Sequence, residues 1–242
     1  RRDLARRALT VLTEGLREPT ATVTPAGDDG KVPTVQRRAV HHPGDGDGMA
    51  PLILEHLGGM LAPEDLPDPV VTAIRTGGSR ARLAAVWALV YTNDPRGATL
   101  LVDALGDPFP EVGRAAAAAL TPYGGPRLER QLGNVLTSAD ADARANAARA
   151  IGELRLRGTS LKRLYRGVHA EPVVATRAAM VQALGRIGEI ESVPHVIRLL
   201  DDPASDVREA AHRSLVQLTG LDIGTDRAAW EGWWDAQSPD ER

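Results

Sequence analysis

Between residues 68 and 220, apolar residues recur three and four places apart, with no strand-like alternation of apolar and polar positions. That spacing lays one apolar stripe along each of a series of helices. Five segments superpose without gaps: ARLAAVWAL (81–89), VGRAAAAAL (112–120), ARANAARAI (143–151), TRAAMVQAL (176–184) and VREAAHRSL (207–215). They end on Leu89, Leu120, Ile151, Leu184 and Leu215, at steps of 31, 31, 33 and 31. Small residues recur at matching places, so neighbouring helices can approach closely. A second helical series precedes these segments, with Ile74, Leu105, Leu136, Val168 and Leu200 in equivalent places.

The unit is therefore helix, short turn, helix, repeated about every 31 residues. One such pair leaves its apolar face open, whereas stacked pairs bury it. The pattern thus predicts an all-α, right-handed solenoid of antiparallel helix pairs. Five pairs are expected over 67–220, and a short capping helix with a tail over 221–242. Gly220 reads as the stop of the last repeat helix and Asp226 as the N-cap of the helix that follows. On that helix Trp230, Trp233 and Trp234 share one face, suited to covering the apolar end of the stack.

The first 66 residues are less regular. Leu4, Ala8, Leu12 and Leu16 have helical spacing, APLILEHLGGML (50–61) reads as a second helix, and its Leu57 lies 32 residues before Leu89. An imperfect first pair, split by the insertion 19–48, is expected. The insertion is rich in Thr, Pro, Gly and Asp and reads as a small hairpin or an unstructured loop.

Composition narrows the chemistry. Aromatic residues make up 3% of the chain, so the core must be aliphatic, as closely packed helices require. The net charge of −3 gives no global bias toward nucleic acid or anionic membranes. Of 29 basic residues only Lys31 and Lys162 are lysines, which suits a GC-rich bacterial coding bias. The absence of cysteine excludes thiolate metal sites and disulfides and is compatible with bacterial cytoplasm or periplasm. No apolar run reaches the length of about 18 residues needed to span a membrane. The chain starts at Arg1, which leaves room for an upstream signal or domain.

The turns carry a charged pattern. Asp202 precedes Arg208 by six residues and Glu171 precedes Arg177 by six; Ser138 and Arg144, and Asp107 and Gly113, share the offset without the full pair. A turn acid can cap the second helix, and an arginine can offer several donors to carboxylates and turn carbonyls. Together with the period, this turn resembles that of short HEAT-like repeats of the kind found in bilin-lyase-like proteins. The tail, with Thr-Gly, Gly-x-Asp and Ala-Trp…Trp-Trp, resembles a segment that often ends bacterial HEAT-repeat proteins. The resemblance implies that Asp107, Arg144, Glu171, Arg177, Asp202 and Arg208 form a structural ladder, each acid bonding the arginine of its own or the next repeat. Repetition favours scaffold over catalysis, because an active site is normally built once.

Candidate chemistry elsewhere is sparse. His41 and His42 beside Asp45 and Asp47 match no defined metal-site spacing, so no metal or cofactor is expected. Neither a nucleophile elbow nor a phosphate-binding Gly-Lys-Ser/Thr motif occurs. The function expected is a non-enzymatic scaffold that binds another protein through its concave face or through 19–48. Trp87, Arg114, Arg149, Gln182, His212 and Arg213 are the expected contact residues. Nucleic-acid backbone binding by the arginines and a bilin-lyase-like role are the alternatives.

Overall fold

The computed structural model describes residues 68–92 and 95–237. The expected first pair and the insertion 19–48 lie outside the described residues. Eleven α-helices follow one another, joined by short turns, and the described residues contain no strand. The first members of the pairs are α1 (Asp68–Thr76), α3 (Pro95–Asp103), α5 (Pro126–Val135), α7 (Thr159–Val168) and α9 (Val193–Ile197). The second members are α2 (Ser79–Thr92), α4 (Pro110–Ala119), α6 (Ala141–Glu153), α8 (Val174–Ile187) and α10 (Ser205–Thr219). The last helix is α11 (Arg227–Ala236). None of the described helices is long and apolar enough to cross a membrane.

Local chemistry sets the helix ends. Pro110 and Pro126 occupy first helical positions, where a missing N–H costs nothing. Asp140 caps α6 by accepting from the Asp142 and Ala143 N–H groups, and Asp226 caps α11 by accepting from Ala229. Gly188 and Gly220 stop α8 and α10 at φ 80° and 73°, a left-handed conformation that costs glycine little.

Second helices stack on second helices through small residues. A Cβ at Gly152 of α6 would lie 2.9 Å from the Ala183 Cα of α8. One at Gly185 of α8 would lie 2.8 Å from the Ser214 Oγ of α10. First helices instead meet through longer polar side chains. Arg163 Nη1 donates to Asn134 Oδ1 at 2.8 Å, and the Tyr165 ring stacks on His195 with centroids 4.0 Å apart. A stack whose one layer is closer-spaced bends toward that layer, so the second helices form the inner side. Between the layers lies one aliphatic core, with Leu89, Leu120, Ile151, Leu184 and Leu215 all fully buried.

The tryptophan-bearing segment closes only one layer. Trp230 is fully buried and donates from Nε1 to the Gly224 carbonyl at 2.8 Å, while Trp233 and Trp234 pack half-buried against the core. α11 lies on α9 and the turn after it, in the place of a further first helix. It covers the outer layer, and among the described residues no second helix covers α10.

Candidate partner-binding surface

Each turn acid does two things. Asp107, Glu171 and Asp202 each accept the backbone N–H two residues on, from Phe109, Val173 and Ala204, at 2.9, 3.0 and 2.9 Å. Each carboxylate also takes a two-pronged bond from the arginine of the preceding repeat. Arg82 holds Asp107, Arg144 holds Glu171 and Arg177 holds Asp202, each with Nε at 2.7 Å. Toward the turn of its own repeat, the arginine six places after an acid reaches only main-chain carbonyls. Arg177 Nη1 donates to the Glu171 carbonyl at 2.6 Å, and Arg208 Nη1 donates to those of Asp202 and Pro203 at 2.8 and 2.9 Å. The six-residue offset is thus a backbone relation, and the ion pairs run backward along the stack, not to the acid's own repeat. These pairs consist of filled, mutually neutralised groups and tie repeat to repeat.

The second rung lacks both charges and is built differently. Gly113 stands in the arginine place, and a Cβ there would lie 2.5 Å from Asn146 Nδ2. Buried Asn146 uses that space to donate to the Leu105 carbonyl at 2.8 Å. Its Oδ1 accepts from Arg149 Nη1 at 2.7 Å, which fixes the Arg149 side chain on the inner face.

Of the expected contact residues, Trp87, Arg149, Gln182 and Arg213 hold one place on four successive or near-successive inner helices, five after the ladder position. Trp87 is half-buried against the core, Gln182 is half-buried, and Arg114 and Arg213 are exposed. At 8–10 Å per helix this stripe is about 35 Å long, a surface instead of a point site. Arg114 and Arg149 lie near enough for their charges to act on each other. Arg149 is pushed below the ordinary arginine range, first by burial and then by the charges of Arg114 and Arg186, against the pull of Asp142. No carboxylate lies in ion-pair range of Arg114 or Arg149 among the described residues, whereas Arg186 pairs with Glu153 at 2.8 Å. Arg186 went unnoticed in the sequence because it lies outside the two repeat positions that define the stripe.

His212 is placed differently from expectation. It occupies the position of Ala148 and Val181, which are fully buried between inner helices, so it faces along the stack and away from the groove. There its Nε2 shares a hydrogen bond of 2.8 Å with Asp222 Oδ1.

Helix pairs at this period, with a backward-running acid–arginine ladder, define an α-solenoid of HEAT type. The sequence comparisons agree: residues 129–216 match HEAT repeats, and residues 81–107 match the PBS lyase HEAT-like repeat. Over these segments the chain is built of HEAT-like repeats. Comparison with curated proteins finds no match. Among solved structures, the complex of CpcE and CpcF of phycocyanin lyase from Nostoc sp. PCC7120 is similar at 26% identity and TM-score 0.50, over 67% of this chain and 68% of that one. An engineered protein aligns at 17% identity and TM-score 0.45, over 91% of this chain and 92% of its own.

Proposed function

We propose that this chain is a protein-binding subunit whose inner face, centred on Arg114 and Arg149, receives an acidic stretch of a partner protein. The observation that carries this reading is the pair of guanidinium groups with no carboxylate in ion-pair range among the described residues, one of them held in place by Asn146. Arginine in such a setting favours a carboxylate that desolvates with it. The likeness to a chain from a two-protein complex supports the same class of function. Trp87, Gln182 and Arg213 extend the contact along the stripe.

Affinity capture at moderate salt, followed by titration of the captured partner, tests the reading. Arg114→Glu and Arg149→Glu should each weaken binding by about tenfold or more, with melting temperature unchanged for Arg114→Glu. Full binding by both variants, together with loss on deletion of 19–48, would move the contact to the insertion. A salt-sensitive shift of labelled DNA that these variants abolish would favour nucleic acid instead.

A second reading is a bilin-lyase-like role, either catalytic or accessory. It is supported by the match of 81–107 to the PBS lyase HEAT-like repeat and by the phycocyanin lyase likeness. Incubation with an open-chain tetrapyrrole and a chromophore-free acceptor protein tests it. Covalent chromophore that forms only with this chain present supports the reading.

A further inference from the structure

Arg208 is a ladder arginine with no ladder acid among the described residues. Its Nη1 is anchored on the Asp202 and Pro203 carbonyls, as Nη1 of Arg144 is anchored on those of Ser138 and Ala139. In Arg82, Arg144 and Arg177 the same anchoring aims Nε and Nη2 at the carboxylate of the following turn, with all six bonds between 2.7 and 3.0 Å. Arg208 Nε and Nη2 have no acceptor among the described residues. The place that Asp107 and Asp202 hold after their first helices is held after α11 by Gln237, whose Nε2 donates to the Trp233 carbonyl at 3.3 Å. The open edge lines a cleft of about 410 Å³ with Ser205, Glu209, His212, Arg213 and Thr225.

The surrounding face of α10 is also open. Ala145 and Ala178 are buried between inner helices, and their counterpart Glu209 is exposed. Gly152 and Gly185 are buried too, and their counterpart Val216 is half-exposed. Among the described lining residues Arg208 and Arg213 stand against one acid, Glu209, and the Asp222 carboxylate beside the cleft is engaged by His212.

We propose that the Nε/Nη2 edge of Arg208 is a docking point for an aspartate or glutamate side chain of a partner protein. The partner's acidic turn and following helix would lie end-on against α10, as Asp202 and α10 themselves lie against Arg177 and α8. The surface meets the end of the inner-face stripe at Arg213 but includes neither Arg114 nor Arg149, so Arg208→Gln and Arg114→Glu tell the two readings apart. The geometry of the three filled rungs specifies the ligand: a carboxylate that meets both donors in the guanidinium plane, three residues before the start of a helix.

The test titrates the full isotope-labelled chain with a synthetic peptide of residues 201–218, DDPASDVREAAHRSLVQL, which carries such a turn and helix. Arginine Nε–H resonances are followed by NMR. The Arg208 signal should shift, while those of Arg82, Arg144 and Arg177, whose edges are filled, stay in place. A peptide with Asp202→Asn should bind about tenfold more weakly or worse, as should the Asp202 peptide to an Arg208→Gln chain. Arg208→Lys, with one point charge in place of a fork, should recover part of the affinity. Equal binding of both peptides, no shift at Arg208, or binding that survives Arg208→Gln overturns the proposal. So does an Arg208 signal that moves with protein concentration alone alongside dimer formation in sedimentation, because a second copy would then fill the edge.

Discussion

Arg177 and Asp202 are joined across 25 residues of chain by two parallel bonds, Nε to Oδ2 at 2.7 Å and Nη2 to Oδ1 at 2.9 Å. Both side chains are about nine-tenths hidden from solvent, at 11% and 7% exposure. Removing the arginine leaves a carboxylate that has lost its charged partner but still has the Ala204 N–H. Arg177→Ala should therefore cost about 2 kcal/mol, between the value of an exposed pair and that of a fully buried one. Urea unfolding measures it. Arg177→Lys should recover less than half, because one ammonium cannot make both bonds. A change within about 0.5 kcal/mol for Arg177→Ala would mean that this rung adds nothing to stability.

The ladder also makes stability fall in acid. The Arg144 fork holds Glu171 below the usual carboxylate range, against its burial, with the Val173 N–H and the charges of Arg144 and Arg177 adding to the effect. At Asp202 burial is the largest influence and acts upward. The bonds from Arg177 and the Ala204 N–H, with the charges of Arg177 and Arg208, overcome it, so the net direction is down. A carboxylate with a depressed folded pKa adds stability that is complete above the unfolded value of about 4. That stability is lost as pH falls through the folded value. Glu171→Gln should thus be less stable than the parent at neutral pH, and the gap should close in acid. Melting temperatures across that range check this, and a gap independent of pH would refute it.

Gly185→Ala should destabilise by about 1–3 kcal/mol, because the added methyl meets Ser214 Oγ, Cβ and Cα at 2.8, 2.9 and 3.0 Å. Pairing it with Ser214→Gly should recover part of the loss by clearing the clash. Recovery is incomplete because the Ser214 Oγ bond to the Val181 carbonyl, 3.1 Å, goes with the side chain. Thermal unfolding of the single and double variants reads the coupling. Additive effects would show that α8 and α10 do not meet at this point.

Trp230→Ala should cost about 3–5 kcal/mol, since the largest fully buried side chain in the fold and its bond to the Gly224 carbonyl are both lost. Local loosening of α11 should appear as faster amide exchange over 227–236 before any change in α6 or α8. Uniform exchange across the repeats would show that the end segment unfolds with the whole.

Helix order, period and the aliphatic core were legible in the sequence because each rests on spacing along one chain. The stop at Gly220 and the N-cap at Asp226 were legible for the same reason: caps and left-handed glycines are local. The contact stripe was legible only as a set of equivalent positions. That the charge of Arg114 acts on Arg149, which Asn146 holds from the space left by Gly113, is a relation between two helices. Arg186 and the end-facing position of His212 were missed because both depend on which neighbour a helix has.

The ladder shows most plainly what each level decides. At a period of 31, a residue six places before one arginine is also 25 places after the arginine of the preceding repeat, so the sequence fits either pairing equally well. The order of residues by itself determined that acids and arginines recur in register, and the periodicity determined that helix pairs stack. Tertiary structure alone decided that the carboxylate turns back to Arg177 while Arg208 holds the turn carbonyl. The close approach of inner helices through Gly152 and Gly185 brings the preceding arginine within reach of the turn, and beyond α10 no described residue offers Arg208 the same carboxylate.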